Sequence, residues 1–133
     1  MPIRIEGLSG GGEGLYGNPF VGPVDFVVAI QVDLSALTDD EIDAFGFLKP
    51  GVPLTDAGAL VGTGDAIYGV TVEAMKVADA NDATTIAALG TIDVPVATHG
   101  MINRDIAEDI LGRAYTADEL TGFETSRIVL TNT

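Results

Sequence analysis

Apolar and polar residues alternate with a period of two along much of this chain, the pattern of strands that turn one face to a core. PIRIEGL (residues 2–8) sets Ile3 and Ile5 against Arg4 and Glu6 and is cut off by Gly10, Gly11, Gly12 and Gly14. A strand tethered through glycines reads either as an arm able to pair with the sheet edge of another protein or as a frayed terminus or edge strand of its own domain. DFVVAIQVDL (residues 25–34) carries the strongest strand signal, and its β-branched content and length predict a buried strand. Shorter strands are expected over 52–55, 59–61 and 67–75, separated by the turns Asp56-Ala57-Gly58 and Gly62-Thr63-Gly64-Asp65. TIDVPVAT (91–98) reads as a strand whose Pro95 puts it at an edge or bulge, and RIVL (127–130) reads as a closing strand.

Helix signals are fewer and lie at capping residues. Thr38-Asp39-Asp40-Glu41 fits a capping box and predicts a helix over about 39–45. Asn103 is placed to cap a helix over 104–111 that stops at Gly112, with Ile106, Ile110 and Leu111 on its apolar side. Thr116-Ala117-Asp118-Glu119 is a second box, and 84–89 is ambiguous. Seventeen glycines and six prolines leave no room for long helices. The expected fold is therefore one mainly β (α+β) domain of short strands with two or three short helices, over residues 15–133, preceded by an extended arm over 1–14.

Charge then narrows the partners. Twenty acidic residues against six basic ones give a net charge of −14, which repels nucleic-acid phosphates and anionic lipid head groups. The expectation is no nucleic-acid partner and no membrane partner. The longest apolar run, FVVAI at 26–30, is too short to span a bilayer, and residues 1–14 lack the apolar core of a signal peptide, so a cytosolic start is expected. With no cysteine there is no disulfide and no thiolate metal site.

Candidate chemistry is thin. Gly7-Leu8-Ser9-Gly10-Gly11 matches the G-x-S-x-G nucleophile elbow, and Asp93 and His99 follow in the serine, aspartate, histidine order of α/β-hydrolases. An elbow, however, joins a central strand to an apolar helix, and here glycines follow a serine only nine residues from the start. Gly12-Glu13-Gly14-Leu15-Tyr16-Gly17 is a lone G-x-G-x-x-G with Asn18-Pro19 where a helix should begin. Asp79, Asn81 and Asp82 fall short of a calcium loop, having Thr84 at the sixth position and Gly90 at the twelfth, and read as a solvated turn. His99 is the single histidine and reads as a turn residue at a strand end. No catalytic, cofactor-binding or metal residue is assigned, and binding is the expected activity.

One resemblance gives that binding a direction. LKPGVPL (48–54), then DAGALV (56–61) and AIYGV (66–70), followed by IDVPVATHG (92–100), INRDIAEDIL (102–111) and RIVL, resembles in order and turns the lambda-type phage head decoration proteins, over about residues 47–130. The resemblance implies a small β-tulip-like domain that sits as a homotrimer on the outside of an expanded phage head, at three-fold and quasi-three-fold positions. There it would cement the major capsid protein; the chain would be made in the host bacterial cytoplasm and end in the virion. It also implies that the N-terminal segment, here Pro2, Ile3, Arg4, Ile5 and Glu6, adds a strand to the capsid protein. Residues 7–45 are a longer stretch than the family carries before the shared block, so 25–34 is the competing candidate for that contact. Another virion or tail subunit, or a β-rich adaptor, is the alternative, and a small serine hydrolase a distant third.

Overall fold

The computed structural model describes residues 16–132. The arm over Pro2–Glu6, Ser9 with its surrounding glycines, and the boundary at residue 14 lie outside the described residues. Among the described residues there are seven strands, three short α-helices and one turn of 3-10 helix (Leu34–Ala36): β1 (Asp25–Asp33), β2 (Phe47–Leu48), β3 (Pro53–Leu54), β4 (Gly69–Thr71), β5 (Met75–Lys76), α1 (Ala83–Leu89), β6 (Thr91–Asn103), α2 (Arg104–Leu111), α3 (Ala117–Glu124) and β7 (Arg127–Thr131). This is the mainly β, α+β class that the turn-rich sequence predicts.

β6 organises the molecule. On one edge it pairs antiparallel with β1 from Asp33↔Thr91 to Asp25↔His99, and beyond that with Phe20 opposite Ile102. On the other edge it meets β4 at Val96 and Ala97, and then β7, in parallel, from His99 to Asn103. β3 completes this sheet on β4, while β2 and β5 form a separate two-stranded ladder. Val32, Val94, Val96, Ile102 and Ile128 face a core filled by Leu34, Leu48, Val52, Leu54, Leu111 and Phe123. Each such side chain removed from water contributes about 1.5–3 kcal/mol.

Several expectations change in the structure. β1 is an edge strand rather than a buried one, and Phe26, Val27, Val28 and Ala29 are all exposed. The strand expected over 67–75 is split into β4 and β5, which belong to different sheets, and 59–61 makes only a bridge from Leu60 to Leu54. Pro95 sits inside the 13-residue β6 rather than at its end; its missing N–H is tolerated because Pro95 pairs only with Ala29, the contact with β4 starting at Val96. His99 lies within β6, not in a turn. On α2 the buried residues are Ala107, Ile110 and Leu111, while Ile106 is exposed.

Capping decides the helices. Asn103 accepts from Ile106 N–H, and Gly112 closes α2 at φ 76°. Thr116 and Glu119 form the complete box that starts α3, and Asp82 caps α1 through Thr85, whose backbone N–H foremost holds the Asp82 carboxyl below its usual range. The first box fails to make a helix. Glu41 reaches back to Thr38 N–H at 2.7 Å, but the Thr38 hydroxyl accepts from Asp40 N–H, and Ile42 is taken by a bridge to Leu48 after one turn. Glu41 instead enters the interior, 1% exposed, where Arg113 Nη2 donates to it at 3.1 Å. The same guanidinium grips the buried Glu119 through both oxygens, at 2.8 and 3.1 Å, and lies 3.5 Å from Asp40. The Glu119 bond, more than any other contact, holds Arg113 charged. This ion cluster ties the 38–42 turn to the loop between α2 and α3.

Candidate functional site

In an antiparallel sheet packed on one side, the other face is ordinarily polar. Here half of that face is apolar. Register partners share a face, so the outer face can be followed row by row across the strands. Met101 stands beside Val129 of β7. Val21, whose N–H donates to Met101 O at 2.8 Å, stands on its other side, because Phe20 and Ile102 next to them point into the core. The next row holds the register positions Asp25, His99 and Arg127, with the Phe26 ring 4.5 Å from the imidazole. Val27 beside Ala97 and Ala29 beside Pro95 follow. The row of Asp25, His99 and Arg127 interrupts these apolar positions, and at Gln31–Asp93 and Asp33–Thr91 the face is polar again.

Val21, Phe26, Val27, Met101 and Val129 are 42–68% exposed, and together they make a contiguous apolar surface of the kind that marks a contact site. No strand among the described residues pairs with the outer edge of β1, so main-chain groups ahead of Gln31, where Gly58 packs against the backbone, border the apolar surface, as strand addition requires. Phe26 has φ 57°, a left-handed backbone that costs a bulky residue roughly 1–2 kcal/mol. The Thr98 hydroxyl bonds the Phe26 carbonyl at 3.1 Å and helps to hold it there.

Proton accounting fixes the imidazole at the centre. The Thr98 hydroxyl donates its one proton to Phe26 O, so His99 Nδ1, 3.0 Å from that oxygen, carries hydrogen and donates to it. Nε2 is then a lone pair, and Arg127 Nη1 donates to it at 3.2 Å. Beside this pair, where β6 exchanges β4 for β7, opens a cleft of about 320 Å³ lined by Ile67, Tyr68, Thr98, His99, Thr125, Ser126 and Arg127.

The hydrolase arrangement does not assemble. Asp93 and His99 lie six positions apart on one extended strand, about 20 Å at 3.3 Å per residue, and Asp93 bonds Gln31 instead. Asp79 pairs with Lys76, Asn81 bonds Asp39 and the Ile42 carbonyl, and Asp82 caps α1. Among the described residues no group of three potential metal ligands gathers, and no helix is long and apolar enough to cross a membrane. The competing capsid-contact candidate, 25–34, falls on the exposed edge strand. Sequence reasoning named that segment but missed Val21, Met101 and Val129. The available signal was the unbroken apolar run FVVA in β1, which offers both faces of a strand to apolar surroundings. No family profile matches the chain, and no curated protein or solved structure is significantly similar to it.

Proposed function

We propose that this chain is a structural decoration protein of a phage head, not an enzyme. It binds the outer surface of the expanded shell as a homotrimer at three-fold and quasi-three-fold sites and stabilises it against disruption. The observation that carries the reading is the exposed apolar sheet face bordered by an open strand edge. The arrangement of β2, β3, β4, β6, α2 and β7 over 47–130, in the order that the resemblance to lambda-type decoration proteins implies, supports it as well.

The mechanism needs no reactive side chain. Main-chain hydrogen bonds at a strand edge supply direction, and apolar burial supplies free energy. Five exposed side chains make up only part of the roughly 20–30 residues per side of a standard interface, so trimeric engagement of several major capsid subunits, with Pro2–Glu6 as an added strand, raises weak contacts to tight avidity. Binding to the expanded shell alone stabilises that state by mass action. The test adds purified protein to expanded heads lacking it: saturable attachment and raised tolerance to heat and chelators are expected, and heads that bind none and disrupt at an unchanged temperature refute the reading.

A further inference from the structure

We propose that Arg127, with Tyr68 beside it, anchors a single carboxylate carried by the protein segment that docks on the outer sheet face. The proposal rests on the docking reading above and states what the partner must bring.

The cations of this acidic chain are mostly occupied. Lys76 pairs with Asp79, Arg104 with Glu108, and Arg113 with Glu41, Glu119 and Asp40, while Lys49 bonds the Leu111 carbonyl. Arg127 differs. Among the described residues its side chain has one partner, the neutral Nε2 of His99, and no carboxylate. Its Nη2 and Nε hydrogens are therefore left to solvent. The residue opens β7, which pairs only with β6, and so stands at the margin of the apolar surface, next to the Met101–Val129 row.

Any segment that covers Val129, Met101 and Phe26 also strips water from this guanidinium. A buried cation without a counter-charge is strongly unfavourable, so a tight partner has to supply an anion at that point. The geometry of a guanidinium fork matches a carboxylate, and Tyr68, an exposed residue lining the same cleft, offers its hydroxyl as a second donor. One carboxylate on an otherwise apolar protein segment fits; a polyphosphate would set many charges against a chain of net charge −14. Copies of net charge −14 repel, so the trimer proposed above is assigned contacts away from this face and is held together by the shell, and the carboxylate is assigned to a different protein, here the major capsid protein.

The experiment measures attachment of the full chain to expanded heads lacking it, for the parent, Arg127→Gln, Arg127→Glu and Val129→Asp, with thermal unfolding recorded to establish that each variant is folded. Arg127→Gln is expected to weaken attachment at least about 30-fold and Arg127→Glu further, with Val129→Asp abolishing it. A lysine replacing the facing acidic residue of the capsid protein is expected to restore Arg127→Glu. Parental affinity of both Arg127 variants alongside loss in Val129→Asp overturns the anchor and leaves the docking reading standing. Parental affinity in all three overturns both. Arg127→Glu changing the mass of the free protein by light scattering, with attachment unaltered, assigns the carboxylate to a second copy and overturns the proposal.

Discussion

Arg113→Met is the sharpest probe of what holds the fold together. The substitution keeps the apolar stem and removes a guanidinium that donates to Glu119 at 2.8 and 3.1 Å and to Glu41 at 3.1 Å. It leaves two carboxylates, with side chains 3% and 1% exposed, facing each other's charge without a cation. Removing one partner of a buried ion pair costs about 3–5 kcal/mol; the Arg113 side chain is itself 21% exposed, so water screens part of the field and the lower end, about 3 kcal/mol, applies. For a domain of this size that corresponds to a fall of about 10 °C in Tm, or of about 1.5 M in the urea midpoint at a slope near 2 kcal/mol/M. The triple variant Arg113→Met, Glu41→Gln, Glu119→Gln removes all three charges, yet its amide oxygens can still accept from Thr38 and Thr116 N–H, as Glu41 and Glu119 do now. It should recover more than half of the loss, because neutral isosteres avoid the uncompensated charge. Urea titrations followed by circular dichroism measure both. A single variant within about 1 kcal/mol of the parent, or a triple variant no better than the single, refutes the account.

Gly58 has φ 75°, and a Cβ there would lie 1.9 Å from the Gln31 carbonyl oxygen of β1; Gly58→Ala should cost at least about 3 kcal/mol by thermal melt, strain and clash together. Gly64, at φ 81° with open space around it, should cost only about 1 kcal/mol on the same change. Tyr115 is buried, with its hydroxyl donating to Gly51 O at 2.8 Å, and burial first, then the charges of Glu119 and Glu108, raises its pKa well above the ordinary 10.0. Because the folded value is the higher one, its contribution to stability is intact below pH about 10 and is lost as pH rises beyond it; urea midpoints from pH 8 to 12 should fall more steeply for the parent than for Tyr115→Phe. Asn103→Ala removes the α2 cap seen at Ile106 N–H and should lower stability by about 1 kcal/mol in the same assay.

Elements whose cause is local were legible in the sequence. Asn103 and Gly112 bound α2, and Thr116 with Glu119 starts α3, because a cap is satisfied within three or four residues. The identical-looking box at Thr38 misled because the Thr38 hydroxyl accepts from Asp40 N–H and Ile42 is drawn into a bridge with Leu48 after one turn, and nothing in a local window announces that bridge. The run at 25–34 was legible as a strand and not as an edge, since β-branched content reports that a strand forms and not what covers it. Ile106 looked like core by period alone, whereas Ala107 takes the inward position. The exposed apolar face was the least legible part: Val21, Met101 and Val129 come from three separate segments, and only the shared register of β6 brings them into one row.

β6 also has a consequence in time. During synthesis the chain leaves the ribosome from its N-terminus, so β1 emerges well before Thr91–Asn103, its sole ladder partner among the described residues. Until then the FVVA run has no ladder partner among the described residues, and the β3–β4 pair has no sheet to join. Acquisition of the native topology is thus deferred to the last third of translation and proceeds through contacts of high sequence separation, which places this chain among slow folders for its size. A nascent polypeptide halted before Thr91 carries the apolar strand without the element that pairs it, an aggregation-prone state that chaperones would have to shelter.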